Sequence, residues 1–221
     1  MNNEKLIIVI RHGERTDLAG EVVKLHQSDP ELTEQGKTQA YNTGLRLKEI
    51  IEEFVDSPDI AIISSPFSRT IQTAKYVKNG LGLSLPIYLE NGLSEFITKN
   101  WFRDKPVLAF ENGNELLMNE LMNEAIIESS FTAFPEFPES TNRCIERINN
   151  TLDLIVYNYL IKKGFDIVIL ITHVYGMQIL CQKMNMPFDL FDIEYCSTFI
   201  FRYNTNTSQF TFETNFYPIN N

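Results

Sequence analysis

The sequence at residues 7–15 reads IIVIRHGER. Its first four residues are apolar and β-branched, which predicts a buried β-strand that ends near Arg11. A histidine, His12, then stands between two arginines at a glycine turn. An imidazole surrounded by guanidinium groups is well suited to receive a phosphoryl group. Taken alone, such a histidine is more often a structural residue of a turn, because short motifs also arise by chance.

Two further apolar runs of the chain end in the same way. Arg69 follows the run at 60–63, and His173 follows the run at 167–170. In an open parallel sheet, ligands bind outside the carboxyl ends of the strands. We therefore expect Arg69 and His173 to meet His12 in one pocket. This joint pattern is much more specific than any one of the three motifs.

The chain resembles the histidine phosphatase superfamily, also called phosphoglycerate-mutase-like, over nearly all of its length. The segments that carry the resemblance are Arg11-His12-Gly13-Glu14, Asp29-Pro30-Glu31-Leu32-Thr33-Glu34-Gln35-Gly36 with Gln39-Ala40, Ser64-Ser65-Pro66 with Arg69 and Gln72-Thr73-Ala74, Leu93-Ser94-Glu95, and His173. In the second of these segments, Glu31 is inserted between the proline and the leucine. Arg15 makes the first motif most similar to the phosphatase domains of T-cell-receptor-signalling suppressor proteins and to ecdysteroid-phosphate phosphatases, since mutases usually have serine there.

The resemblance implies a phosphomonoester hydrolase that forms a phosphohistidine intermediate on His12. The phosphoryl oxygens would be bound by Arg11, Arg15, Arg69 and His173. A guanidinium group offers planar, forked donors and stays charged, which suits a phosphoryl group better than a lysine does. The catalytic set implied in this way is His12, Glu95, His173, Arg11 and Arg69.

Glu95 is the proton donor that the resemblance implies. A carboxylic acid with a raised pKa can protonate the leaving oxygen and then act as a base towards the attacking water. Glu14, Glu90 and Asp17 remain alternatives for this role. For Glu14 we favour a structural role at the turn.

Alternatively, His12 and His173 could be ligands of a metal ion. The chain has three histidines, no HxH or HExxH motif and no cluster of cysteine and histidine. The arginines of the first motif would also repel a cation. We therefore expect no metal and no cofactor, and we assign His26 to the surface and the three cysteines to the core.

The composition of the chain narrows its class and its partners. A chain of 221 residues with 43% hydrophobic and 22% charged residues is typical of a globular α/β protein. The net charge of −10 argues against binding to nucleic acid or to an anionic membrane. The apolar run near the N-terminus is too short for a signal peptide or a membrane span. We expect a cytoplasmic protein whose oligomeric state the sequence does not indicate.

The predicted fold is α/β, with three α/β/α layers around a mostly parallel central sheet and an antiparallel edge hairpin. The predicted strands are 5–10, 60–64, 86–89 and 166–172, and the hairpin comprises 196–203 and 209–214. The predicted helices are 34–54, 68–79, 141–162 and 175–185, with N-caps at Thr33 and Ser68 and a glycine, Gly80, at the end of the second helix. This interpretation makes 1–221 a single domain.

The segment 96–138 is predicted to be an insertion that covers the active site. It contains an acidic helix candidate at 114–128. The glutamates of this helix are expected to form a solvated face, and they are Glu115, Glu120, Glu124 and Glu128.

Two other functions remain open at this point. A phosphoglycerate mutase would need cations for a substrate carboxylate, and the segment 96–138 offers Lys99, Arg103 and Lys105. A non-catalytic protein that binds phosphorylated ligands is the second alternative. Inactive members of the family usually lack one of the central site residues, whereas Arg11, His12, Arg69 and His173 are all present in this chain. For a hydrolase, the expected substrate is a phosphorylated small molecule or a phosphopeptide.

Overall fold

The computed structural model describes residues 3–186 and 193–217. The strands are β1 (Glu4–Arg11), β2 (Ile60–Ser64), β3 (Ile87–Leu89), β4 (Ile126–Glu128), β5 (Ile167–Thr172), β6 (Thr198–Asn204) and β7 (Gln209–Phe216). The helices are α1 (Glu34–Phe54), α2 (Ser68–Leu81), α3 (Glu115–Glu120), α4 (Thr141–Ile155) and α5 (Val174–Lys183). A 3₁₀ turn spans Asn91–Leu93, and a π-helical segment, Val156–Lys162, continues α4. No helix in these described ranges is long and apolar enough to cross a membrane.

The strands form one sheet in the order β4-β3-β2-β5-β1-β6-β7. The pairs from β4 to β1 are parallel, whereas β6 and β7 are antiparallel to their neighbours. Alternate residues of the central strands enter two different cores. Ile7 packs with α4 and α5 on one face, and Ile8 packs with α1 and α2 on the other. Burial on both faces explains why these strands read as unbroken apolar runs. The predicted layers and the antiparallel edge hairpin are confirmed.

The register of the central strands brings their carboxyl ends together. Arg11 of β1 is paired with Thr172 of β5, and Ser64 of β2 is paired with Ile171 of β5. The residues that follow these pairs, among them His12 and His173, therefore lie at the same edge of the sheet.

Helix α2 begins and ends differently from the prediction. Ser68 is its first residue and not its N-cap, and the backbone N–H of Ser68 donates to Asp29 Oδ1 at 2.8 Å. Gly80 lies inside the helix, which ends at Leu81 and is capped by Gly82 with φ +71°. A Cβ atom on Gly80 would lie 2.2 Å from the Tyr41 carbonyl oxygen, so glycine permits the close contact of α2 with α1. By contrast, Thr33 caps α1 as predicted, at 2.9 Å from the Gly36 nitrogen.

The acidic stretch 114–128 is not one solvated helix. It contains α3 and then β4, which extends the sheet beside β3. Glu120 accepts hydrogen bonds from Gln72 Nε2 at 2.6 Å and from the Tyr76 hydroxyl at 3.2 Å. Glu124 forms an ion pair with Lys78. The prediction of a solvated face is wrong for these two glutamates because α2 supplies their partners, whereas Glu115 and Glu128 are exposed as predicted.

Candidate active site

His12 lies directly after β1 and is 2% exposed. Its ring Nδ1 is 2.8 Å from the Gly13 carbonyl oxygen, which accepts the Nδ1 proton and leaves Nε2 unprotonated. Burial lowers the pKa of His12 well below its ordinary value, and the charge of Arg69 lowers it further. His12 is therefore a neutral imidazole at pH 7 with a free lone pair on Nε2.

The turn that holds His12 packs against the start of α1 at two glycines. A Cβ atom on Gly13 would lie 2.6 Å from the Gly36 carbonyl oxygen, and one on Gly36 would lie 2.2 Å from the Glu14 carbonyl oxygen. The Glu14 carboxylate accepts a hydrogen bond from the Thr33 hydroxyl at 2.8 Å. Both glycines permit a close backbone contact that fixes the histidine turn, and Glu14 has a structural partner at the same junction.

Arg69, Glu95 and His173 form a buried cluster beside His12. Arg69 Nη2 is 3.4 Å from Glu95 Oε2 and 3.1 Å from His173 Nδ1. His173 Nδ1 is 3.3 Å from the same Glu95 oxygen. The rings of His12 and His173 meet edge to face, with centroids 5.3 Å apart. The structure thus brings together these four residues, which the sequence places on separate segments.

Three pKa values in this cluster are lowered. Burial alone raises the pKa of the Glu95 carboxyl group, but His173 and Arg69 outweigh it and lower the pKa to about 2. Burial lowers the pKa of His173 to about 4, although Glu95 opposes this shift. Burial, assisted by Arg15, lowers the pKa of Arg69 to about 10. At pH 7 the cluster consists of a neutral imidazole, a carboxylate and a guanidinium cation.

The raised pKa predicted for Glu95 as a proton donor is therefore wrong for the unliganded protein. The causes are His173 and the guanidinium group of Arg69, which together stabilise the carboxylate. Among the alternative acids, Glu90 accepts hydrogen bonds from Ser130, Phe131 and neighbouring groups, and Asp17 accepts two from Arg15.

Arg11 and Arg15 have different partners around the site. Arg11 donates from Nη1 to the Ile193 carbonyl oxygen at 2.7 Å, and its guanidinium group lies 4.2 Å from the ring centroid of Tyr195. Arg15 donates from Nε and Nη2 to the two carboxylate oxygens of Asp17, each at 2.6 Å. The sequence analysis did not identify Tyr195, because this residue lies outside every motif.

Arg147 of α4 holds the segment that carries Glu95. It donates to the carbonyl oxygens of Gly92 at 2.8 Å, Ser94 at 3.1 Å and Glu95 at 3.3 Å. Two further bonds, each 2.8 Å long, join Arg147 to the Glu139 carboxylate. The sequence predicts an amphipathic helix at 141–162, but this pattern does not indicate that Arg147 holds the Glu95 segment.

Asp29 and Ser65 support Arg69 and His173. Asp29 is fully buried, lies 3.8 Å from Arg69 Nη1 and accepts a hydrogen bond from the Ala109 nitrogen at 2.9 Å. Ser65 Oγ lies 2.9 Å from His173 Nε2. Both residues belong to segments that the sequence analysis quoted, but only the structure shows their contacts.

The cluster borders a cavity of about 750 Å³. His12 and Glu95 line it together with Arg11 and Arg15, and the fully buried Arg69 and His173 contact Glu95 next to it. The opposite wall includes side chains between Trp101 and Val107. Part of the predicted insertion therefore borders the site, while β4, from the same segment, belongs to the sheet.

Among residues 3–186 and 193–217, one set of side chains could act as ligands of a metal ion. Ligand atoms of His12, Glu95 and His173 lie within 4.8 Å of one another. Arg69 Nη2, however, is in contact with both Glu95 and His173. The same charge that lowers the pKa of His12 would repel a divalent cation. The donor set with its arginine neighbours suits an anion better than a metal ion.

Acidification is expected to destabilise the folded protein between about pH 6.5 and pH 4. His173 has an ordinary pKa of 6.5 in the unfolded chain, but burial lowers it to about 4 in the folded protein. The unfolded state therefore binds more protons in this window, so the free energy of unfolding falls as the pH falls. Below about pH 4.5, Glu95 acts in the same direction. In urea unfolding, His173 alone should make the free energy of unfolding about 2 kcal/mol lower at pH 5 than at pH 7. His12, whose pKa is also lowered by burial, acts in the same direction.

The control for this prediction is a pair of histidine variants. His173→Gln should lose part of the pH dependence, whereas His26→Gln, at an exposed side chain, should keep it. Equal free energies of unfolding for the wild-type protein at both pH values would contradict the assignment.

Comparisons with known proteins identify the family and the fold. The sequence pattern of the histidine phosphatase superfamily (branch 1) matches residues 7–215. A comparison with curated protein sequences gives no match. The fold is similar to the ecdysone phosphate phosphatase from Bombix mori in complex with tungstate, with a TM-score of 0.70 and 20% identity over 95% of this chain and 92% of that chain.

Two other solved structures share the fold. Phosphoglycerate mutase from Bacillus anthracis has a TM-score of 0.67 and 20% identity over 96% of this chain and 92% of that chain. Phosphoserine phosphatase from Entamoeba histolytica, in complex with 3-phosphoglyceric acid, has a TM-score of 0.57 and 19% identity over 95% of both chains. The match of the family pattern over nearly the whole chain makes this protein a member of the histidine phosphatase superfamily, branch 1, and an enzyme of that superfamily.

Proposed function

We propose that this enzyme hydrolyses phosphomonoesters without a metal ion and through a phosphohistidine on His12. The observation that carries the proposal is the burial of His12, with its unprotonated Nε2, close enough to Arg69 and Arg11 for both charges to lower its pKa. Nε of Arg11, and Nε and Nη1 of Arg69, are buried and make no hydrogen bond within the described part of the chain. Buried donors of this kind match the oxygens of a phosphoryl dianion.

In the first step, His12 Nε2 attacks the phosphorus atom and the bond from phosphorus to the ester oxygen breaks. The electron pair of that bond goes to the leaving oxygen, which takes a proton from Glu95. Arg11, Arg69 and His173 would stabilise the charge on the phosphoryl oxygens. Arg15 would contribute its remaining nitrogen, since Asp17 holds the other two.

In the second step, water attacks the phosphohistidine and gives a proton to the Glu95 carboxylate. The bond from phosphorus to Nε2 breaks, and the imidazole regains its lone pair. Inorganic phosphate is then released.

Substrate binding reconciles this acid role with the low pKa of Glu95. A phosphoryl dianion beside Glu95 repels the carboxylate and competes with it for the charge of Arg69. Both effects raise the pKa of Glu95. Glu95 is then expected to take up a proton when the substrate binds.

The experiment that tests the function measures phosphate release from simple aryl and alkyl phosphates after treatment with EDTA. We expect hydrolysis that EDTA does not affect. Loss of activity on chelation, restored by a divalent ion, would contradict the metal-independent mechanism. The mutase alternative is tested with 3-phosphoglycerate and bisphosphoglycerate, and formation of 2-phosphoglycerate faster than phosphate release would favour it.

Replacing Glu95 with glutamine is expected to affect esters according to their leaving groups. Alkyl phosphates, whose leaving oxygen needs a proton, should lose about 100-fold or more in kcat. Nitrophenyl phosphate should lose much less, because its leaving group is stable as an anion. The measurement is kcat for both esters in Glu95→Gln and in Glu128→Gln, an exposed control. Equal losses for both esters would show that Glu95 is not the proton donor.

A further inference from the structure

We propose that the substrate is a small phosphomonoester whose leaving group has an apolar, ring-sized body and ends in a carboxylate. The inference rests on the proposed phosphatase function and concerns the part of the cavity that lies beyond the phosphoryl site. The cavity volume of about 750 Å³ falls in the range of sites that enclose a small organic molecule. A phosphoryl group alone would leave most of it unfilled.

Apolar side chains line this outer part of the cavity and remain exposed. Leu18 is 67% exposed, Trp101 is 52% exposed and Val107 is 42% exposed. The Trp101 ring is supported from behind by edge-to-face contacts with Phe96 and Tyr175, at centroid distances of 5.7 and 6.3 Å. Exposed apolar groups gathered around a cavity indicate contact with an apolar ligand. They suit a leaving group with a flat, apolar body.

Two cationic side chains line the same cavity as these apolar groups. Arg103 and Lys105 line the cavity, and neither makes a side-chain hydrogen bond or an ion pair among residues 3–186 and 193–217. The ammonium group of Lys105 lies 5.7 Å from the ring centroid of Phe134. Unpaired cations at a cavity are a local exception in a protein with a net charge of −10.

The charge of this wall indicates the kind of anion. Asp104 also lines the cavity, so the two cations and this one carboxylate leave a surplus of one positive charge. A carboxylate carries one negative charge and matches this surplus. A second phosphate group, with almost two charges, would exceed it.

The test compares three esters of similar shape, namely phenyl phosphate and its para-carboxymethyl and para-carbamoylmethyl derivatives. The carboxylate ester should have a kcat/KM about fivefold higher than its amide counterpart, as a favourable ion pair at a partly exposed site allows. The double variant Arg103→Gln/Lys105→Gln should lose this preference. Lys99→Gln, which removes an exposed cation of the same segment outside the cavity, should keep it.

Trp101 is tested separately from the cations. Trp101→Ala should raise KM severalfold for all three aryl esters and leave their kcat almost unchanged. The same variant should leave KM for glycerol phosphate unchanged, because that ester has no apolar body. A uniform loss on every ester would show that Trp101 has only a structural role and would overturn this part of the proposal.

Binding is measured without turnover in the His12→Ala variant. Trp101 is the only tryptophan of the chain, so quenching of its fluorescence reports ligands in the outer cavity. The carboxylate ester should bind more tightly than the amide ester. Equal affinities would overturn the inference even if hydrolysis is observed, whereas absence of hydrolysis in the wild-type protein, with the binding preference intact, would overturn the proposed function alone.

Discussion

Replacing His12 with alanine is expected to reduce kcat for every phosphomonoester by at least about 1000-fold, since the variant has no nucleophile at this position. The fold should persist, because the backbone N–H of His12 donates to the Thr172 carbonyl oxygen at 3.0 Å and does not depend on the side chain. The measurements are single-turnover kinetics and far-UV circular dichroism.

Trapping the intermediate provides the control for this prediction. Wild-type protein mixed with labelled substrate and quenched in alkali should carry a label that acid removes, and peptide mapping should place it on His12. The His12→Ala variant should carry none. A label on His173, or a variant with unchanged turnover, would contradict the assignment of the nucleophile.

Replacing Arg69 with alanine is expected to reduce both activity and stability. Removal of a guanidinium group from a transferring phosphoryl group costs about 1000-fold in kcat. Glu95 and Asp29, both buried, would also lose their nearest cation. Breaking a buried ion pair on one side costs roughly 3 kcal/mol of unfolding free energy, or more. Urea unfolding and initial rates below the unfolding temperature measure the two effects separately.

Two further variants test whether the effects at Arg69 come from its charge, its forked donors and its burial. Arg69→Lys keeps the charge but not the forked donors, so it should recover stability more than activity. Arg143→Ala removes an exposed arginine that pairs with Glu136, and it should cost less than about 1 kcal/mol. Full activity in Arg69→Lys would show that a point charge is sufficient at this position.

The parts of the fold that follow from local patterns were predictable. The central strands are continuous apolar runs, and α1 was predicted with its correct bounds because Thr33 and the apolar spacing agree. The start of α2 was not predictable in the same way, since its cap is Asp29, a residue 39 positions earlier in the chain. Glu120 and Glu124 show the same limit, because their partners lie on α2.

The candidate site shows a similar division. The convergence of His12, Arg69 and His173 follows from the general rule that the carboxyl ends of parallel strands meet at one edge. The roles of Arg147 and Tyr195 depend on contacts with residues far away in the chain, which the local sequence pattern does not predict. The low pKa of Glu95 depends on its contacts with His173 and Arg69, which only the structure supplies.

The position of β1 in the sheet has a consequence for biosynthesis. This strand pairs with β5 on one side and β6 on the other, so about 150 residues must be made before its first partner exists. At roughly 5–20 residues per second, this delay lasts on the order of 10–30 s on the ribosome. Until β5 has been made, the apolar residues of β1 have no sheet partner, and exposed apolar segments of this kind are prone to aggregation. The nucleophile follows this strand directly, so the appearance of activity during synthesis should coincide with closure of the sheet and not precede it.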